Sequence, residues 1–349
     1  MDEYRKALTV WYNHSKRELP WRESHDPYKI WVSEVILQQT RVNQGMDYYH
    51  NFLKSFPNVA ELAEANEEEV LKVWQGLGYY SRARNMHHAA KTILSLHGGK
   101  FPEDYASIRN LKGIGDYTAA AIASISFNLP YAVVDGNVFR VLSRLFGIFT
   151  SIDTFAGKKE FYSLAQMMLD TAQPGQFNQA LMELGAIQCI PDRPDCENCP
   201  LSTKCYAYAH QSVSVFPVRS KQVKQKARYL NYLYLTNKEY LFLEKRGDQD
   251  IWRNMYQFPL IETTEPVSAE AVIGSEAWET ILTGQSYTIE SVSNEKIHLL
   301  THQRLHIRFF SVQLQTEKQP ENLIATANSE ISGYPVPKPI ENFLILMGH

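Results

Sequence analysis

The chain has 349 residues, 44% of them hydrophobic and 21% charged, and a formal net charge of −3. That length asks for two or three folding units rather than one core. No apolar run reaches the roughly 18 residues a membrane span needs, and Met-Asp-Glu-Tyr-Arg at the start lacks the apolar centre of a secretory signal. A soluble protein of a reducing, cytoplasmic compartment is therefore expected, with no membrane partner. The net charge does not announce a nucleic-acid binder, yet it hides a pattern. Residues 211–228 carry Arg219, Lys221, Lys224, Lys226 and Arg228 and no acid, while residues 229–349 carry 9 basic and 15 acidic side chains. The basic stretch reads either as a solvated linker or as a strap beside a phosphate backbone.

The chain opens with a polar helix that Pro20, in Leu19-Pro20-Trp21-Arg22, should end. Asp26-Pro27 marks the next helix start, with Asp as cap and Pro in the first turn. Residues 28–41 are apolar over most of a helical surface, through Ile30, Trp31, Val32, Val35, Ile36 and Leu37, so this helix should be buried. Glu34 either escapes to solvent or an Arg partner, or sits in an apolar setting. Burial would raise its pKa and make it a proton donor near neutral pH.

Helical patterns follow at about 46–55, 59–64 and 67–75. Gly76-Leu77-Gly78-Tyr79-Tyr80-Ser81-Arg82-Ala83-Arg84 suits a loop that approaches another molecule, or a plain helix–helix turn. A helix of about 83–97 stops at Gly98-Gly99. A short helix to Leu111, then Lys112-Gly113-Ile114-Gly115-Asp116, then the small-residue helix from Tyr117, form a helix-hairpin-helix. Its tight turn at Gly113 and Gly115 leaves backbone N–H groups free for a DNA phosphate. Asp135, in Val133-Val134-Asp135-Gly136-Asn137-Val138, heads an amphipathic helix. It is an N-cap, and the helix start should also keep it ionised. Glu34 and Asp135 would then be an acid and an anion, the pair that cleavage at an anomeric carbon requires.

Helices of about 155–171 and 176–188 lead into the four cysteines, which read Cys189-x6-Cys196-x2-Cys199-x5-Cys205. Such a group asks for a soft metal centre or disulfides, and a reducing compartment favours metal. Residues 1–209 are thus essentially all helical. Beyond 228 the pattern changes to period two on either side of Thr236-Asn237-Lys238, a hairpin signal. Residues 296–314 are strand-like and 268–283 helical, which makes a separate α+β unit.

Helix-hairpin-helix, Val-Asp-Gly-Asn-Val and this cysteine spacing resemble the endonuclease III superfamily of DNA glycosylases. Within it the chain resembles the MutY-type adenine DNA glycosylases, through Leu19-Pro20-Trp21-Arg22, Ser33-Glu34 to Arg41, Tyr117 and Gly76 to Tyr80. The resemblance implies a multi-domain architecture. An all-α helix-hairpin-helix glycosylase domain (1–209) with a [4Fe–4S] loop precedes a basic linker (210–228) and an α+β Nudix-like domain (229–349). Cys189, Cys196, Cys199 and Cys205 would hold the [4Fe–4S] cluster. The asymmetric spacing disfavours zinc, whose ligands come as two close pairs. Arg193 and Lys204 on that loop would touch DNA. Leu243-Glu-Lys-Arg, Trp252 and Gln257-Phe258-Pro259 are similar to Nudix hydrolases, but no box of paired glutamates follows, so no pyrophosphatase activity is expected.

The implied substrate is adenine opposite 8-oxoguanine or guanine in double-stranded DNA, flipped out for removal. Glu34 would protonate the adenine, Asp135 would stabilise the cation-like sugar, and Tyr117 and Asn137 would position sugar, water and carboxylates. Trp21, Arg22 and Gln179 would line the adenine pocket. Gln39, Thr40, Leu77 and Tyr79 would meet the opposite base, with Leu300, Thr301 and His302 of the second domain. There the family has Phe-Ser-His. Thr301 keeps a hydroxyl, while Leu300 loses an aromatic ring. Relatives that also nick the strand carry Lys where this chain has Tyr117, so base removal alone is implied. A monomer at the nucleoid is expected. Two rivals are an endonuclease III-type pyrimidine glycosylase with lyase activity, which borohydride trapping would reveal, and a non-catalytic lesion-binding protein, which an excision assay would separate.

Overall fold

Asp26 caps the helix Pro27–Ile36 by accepting from Tyr28 N, and Pro27 occupies the first turn, where its missing N–H costs nothing. Eight of the ten residues of that helix are buried, Glu34 among them. The structure is a computed structural model that describes residues 1–220, 225–316 and 319–349. Lys221 and Lys224 of the basic stretch lie outside the described residues. Among the described residues no helix is long and apolar enough to cross a membrane.

Two units divide the chain. One comprises Met1–Glu64 and Asn85–Lys221, the other Ala65–Arg84 and Gln222–His349. The first is helical. Its core joins Leu8 and Tyr12 of the helix Asp2–Ser15 to Val134, Val138 and Leu142, and to Phe177, Leu181 and Leu184. Cys189, Cys199 and Cys205 pack against the same core. The helix-hairpin-helix consists of Tyr105–Asn110, capped by Asp104, and Asp116–Phe127. Gly113 between them has φ +80°, and a Cβ there would lie 2.5 Å from Asn85 Cβ, so only glycine fits.

The second unit is built on a mixed eight-stranded sheet. Its strands are β1 (Lys226–Thr236), β2 (Tyr240–Lys245), β3 (Tyr256–Gln257), β4 (Leu260–Thr263), β5 (Tyr287–Val292), β6 (Lys296–Leu299), β7 (Gln303–Leu314) and β8 (Ile324–Ala327). β1 and β2 form the expected hairpin, with Thr236 opposite Leu241. β1 runs parallel to β7 along its whole length, from Lys226 opposite Gln303 to Thr236 opposite Gln313. Alternation sends Leu233, Leu235, Phe310 and Val312 to one face, under Trp278. Tyr234 and Phe309 go to the other, where Phe343 of the helix Lys338–Leu346 stacks on Phe309 at 4.1 Å.

Several expected boundaries move. The buried helix stops at Ile36 rather than Arg41, because Gln39 takes a left-handed conformation, φ 61°. Ser81 to Arg84 form the first turn of the helix Ser81–His97 instead of a loop. The helix expected over 155–171 ends at Met168. The one expected over 176–188 is α-helical only over Pro174–Glu183, then widens to a π-turn, Leu184–Gln188, closed by Cys189 N donating to Leu184 O at 2.7 Å. Lys226 to Arg228 begin β1 rather than ending a linker.

Candidate active site

Glu34, Tyr117, Asp135, Asn137, Trp21, Arg22, Gln179 and Thr40 line one pocket of the helical unit, together with Glu183. Four α-helices, the 3-10 helix Pro20–Arg22 and the turn at Thr40 supply these residues, so the site depends on their packing. Small residues permit that. A Cβ on Gly185 would come within 2.6 Å of Asn137 Cβ, which holds the π-turn tightly against the helix Gly136–Phe146. Asn178, almost fully buried, accepts from Val133 N and donates to Ser124 Oγ and Tyr131 O, fixing the strand of chain that delivers Asp135.

Glu34 is 8% exposed. Its Oε2 accepts from the Tyr117 hydroxyl. Burial raises its pKa to about 7, the Tyr117 hydrogen bond works against the rise, and the charge of Asp135 adds to it. The Tyr117 phenol is pushed well above its ordinary value, first by burial and then by the charge of Glu34, so it stays protonated and remains a donor. Asp135 accepts from Val138 N at 2.7 Å and from Asn137 Nδ2 at 2.8 Å. The sequence expectation is that the helix start keeps Asp135 ionised, and these capping hydrogen bonds favour the anion, while burial acts against them and raises its pKa. What distinguishes the carboxyls is their partners: Asp135 takes donors that favour an anion, Glu34 one phenol in an apolar surround.

Arg22 lines the pocket with its guanidinium already committed. It donates to both carboxylate oxygens of Glu183, at 3.0 and 2.6 Å, and to Arg17 O. Arg17 adds three further bonds to Glu183, from its backbone N, Nε and Nη2. Burial alone would raise the Glu183 pKa, but the Arg17 and Arg22 hydrogen bonds prevail and hold it at about 2. The sequence reading passed over Glu183, although a carboxylate four residues after Gln179, on the same helical face, is a signal.

It passed over two arginines as well. Arg140 donates to Asn137 Oδ1 at 2.8 Å, to Gly185 O at 2.6 Å and to Cys189 O at 2.7 Å. Buried Arg144 reaches Ile190 O, Pro191 O and Val213 O, and Cys189 Sγ at 3.5 Å. The helix that begins at Asp135 is thus bolted to the cysteine segment.

The four cysteines are free thiols that line one cavity with Arg144, Gln188 and Tyr208. No group of three or more His, Cys, Asp or Glu side chains set to hold a metal ion is found among the described residues. Burial, and after it the neighbouring thiolates, push Cys196 and Cys205 up, and Cys199 to about 11. Arg193 is exposed with φ 51°, and Lys204 pairs with Glu3.

Other sequence-selected residues lie elsewhere. Gln39 is exposed and does not line the pocket. In the second unit Leu77 is buried, while Tyr79 is 47% exposed, has φ 49° and shares a 2.8 Å hydrogen bond with Thr301. Leu300, Thr301 and His302 form the turn between β6 and β7, closed by Leu300 N donating to Gln303 O. Gly115 caps the second hairpin helix without any side-chain hydrogen bond. Of the basic stretch, Arg228 is paired with Asp250 and Glu262.

Residues 32–164 match the HhH-GPD superfamily of base excision DNA repair proteins, and residues 231–346 match the NUDIX domain. An adenine DNA glycosylase of Buchnera aphidicola subsp. Baizongia pistaciae is 39% identical over 259 residues, covering 73% of this chain and 72% of that one. The chain belongs to the adenine DNA glycosylase family. Another member, from Buchnera aphidicola subsp. Acyrthosiphon pisum, is 32% identical over 316 residues and covers 89% of this chain and 87% of its own. The solved structure of a thermostable thymine-DNA glycosylase superposes on 60% of this family member and 96% of itself, with a TM-score of 0.56 at 28% identity.

Proposed function

We propose that this member of the adenine DNA glycosylase family hydrolyses the N-glycosidic bond of adenine paired with 8-oxoguanine or guanine in duplex DNA, and leaves an abasic site. The observation that carries this is Glu34: a nearly buried carboxyl with a pKa of about 7, beside a second carboxylate. A flipped adenine is a poor leaving group until it is protonated. Glu34 gives it a proton, at N7 of the ring, as the bond to the sugar lengthens. The positive charge that develops on the sugar lies within reach of Asp135. Asn137 and Val138 N hold that carboxylate, so it needs no reorganisation when the charge appears. Water then adds to the sugar and gives a proton to the carboxylate that Glu34 has become, which restores the acid, and Tyr117 and Asn137 position the water with the carboxylates. Tyr117 has no amine, so no Schiff base forms and the strand stays whole.

Cys189, Cys196, Cys199 and Cys205 would hold a [4Fe–4S] cluster. Four cysteines lining one cavity are the donor set such a centre takes. When bound, it supplies structure rather than a reaction step, pinning the loop of Arg193 and the Arg140 and Arg144 contacts. In the second unit, Thr301 and Tyr79 would read the base opposite adenine through hydroxyls. Leu300 brings no ring for stacking, which weakens discrimination of 8-oxoguanine from guanine.

The test is a single-turnover assay on a duplex with adenine opposite 8-oxoguanine. Release of free adenine, with no product trapped by borohydride, is expected. A released pyrimidine or a trapped covalent product would refute the reading.

A further inference from the structure

Gln179 is half-buried in the pocket wall, on the same helical face as Glu183 one turn later. Its amide oxygen is taken. The Tyr12 hydroxyl donates to Gln179 Oε1 at 2.9 Å, across 167 residues of chain. Tyr12 itself does not line the pocket. It is 2% exposed, in the core beside the helix that carries Gln179. Cations flank its ring, with Arg22 at 5.6 Å and Lys16 at 5.4 Å from the centroid. Arg22 is in turn immobilised by Glu183 and Arg17 O, so the ring has little freedom. Burial raises the Tyr12 pKa, which keeps the phenol a donor at neutral pH.

We infer that Tyr12 is a positioning residue of the base pocket: its phenol fixes the Gln179 amide with Oε1 turned away and both Nε2 protons left for the bound base. This rests on the proposed placement of Gln179 beside adenine. With the amide reversed, the phenol would face an NH₂ group and its own proton would lose this acceptor in a buried site. Gln179 Nε2 makes no hydrogen bond among the described residues. The fixed amide is therefore a pure donor pair. Adenine presents ring nitrogens that accept, and an amide whose donors cannot turn round is ready for one of them without reorganisation.

The experiment is a double-mutant cycle read by single-turnover excision of adenine from a duplex, with melting temperature recorded for every variant. Tyr12→Phe removes one oxygen and keeps the ring in the core. It is expected to slow excision about tenfold, the worth of one well-placed hydrogen bond. In a Gln179→Ala background the same substitution is expected to do nothing further. Gln179→Glu still accepts the phenol proton but brings no N–H donors, so it is expected to fall as far as Gln179→Ala. Tyr12→Phe as fast as wild type, or equally damaging with and without Gln179, would overturn the inference while leaving the excision reaction intact. A Gln179→Ala variant at wild-type rate would instead remove Gln179 from the base pocket. A wild-type protein that leaves adenine in place would overturn the reaction and this inference together.

Discussion

The Tyr117 hydroxyl donates to Glu34 Oε2 from the second residue of the helix that follows the glycine turn, so the helix-hairpin-helix also tunes the pocket's buried acid. The bond favours the ionised carboxylate and restrains a pKa that burial has raised to about 7. Excision that needs protonated Glu34 should therefore decline as pH rises through about 7. Tyr117→Phe removes the restraint, so the alkaline limb of the rate profile should move to higher pH. A limb that stayed put, or moved down, would contradict this coupling.

Glu34→Gln should lower the single-turnover rate by roughly 10³-fold, within the usual reach of general acid catalysis, while binding to a non-cleavable duplex survives. Stability should move the other way. The folded pKa of Glu34, about 7, lies above the ordinary 4.5. Its contribution to folding is complete below pH 4.5 and lost as pH rises through 7. Relative to wild type, Glu34→Gln should thus gain stability from pH 5 to pH 8, by an amount on the order of 3 kcal/mol. Thermal melts of both proteins at the two pH values measure it.

Arg140 holds Asn137, Gly185 O and Cys189 O at once. Arg140→Lys keeps a charge but cannot span three acceptors. Asn137 would lose a fixed rotamer, and a displacement of about 1 Å at a catalytic group can cost about 10²-fold. The expected result is a slower chemical step with little change in duplex affinity, read by single-turnover rates alongside a binding titration.

Cys199→Ser should leave the purified chain without iron and without brown colour, and should lower its melting temperature. If iron content and absorbance persist, the cysteine cavity is not the cluster site.

Much of the fold was legible in the sequence because the helical starts carry their own caps. Asp26, Asp104 and Asp135 each accept from a backbone N–H of the next turn. The apolar run through Trp31 and Val35 announced burial, and with it the environment of Glu34. Helix ends were harder. Gln39 turns the chain by a left-handed step that glutamine rarely takes, and nothing at Leu184 signals a π-turn. β5 escaped notice because it is an exposed edge strand without a hydrophobic alternation. The arginines went unread because an Arg on a helix looks the same whether it faces water or three carbonyls. Arg144 is 3% exposed, which only packing reveals. The altered acidity of Asp135 has the same origin: capping is local and visible in sequence, desolvation is not.

Ala65–Arg84 belong to the second unit, although the chain passes through them long before it reaches residue 222. There Glu68 pairs with Lys245 and Tyr256, Asn254 donates to Glu67, and Gln75 donates to Glu341. A chain cut off after residue 220 would therefore not be a lesser enzyme with one module removed. It would retain a twenty-residue fragment of the missing module, its acids suddenly unpaired, and Tyr79 would lose the Thr301 hydroxyl that steadies it. Because the second unit is drawn from two stretches of the chain, trimming or grafting it means exchanging both segments at once.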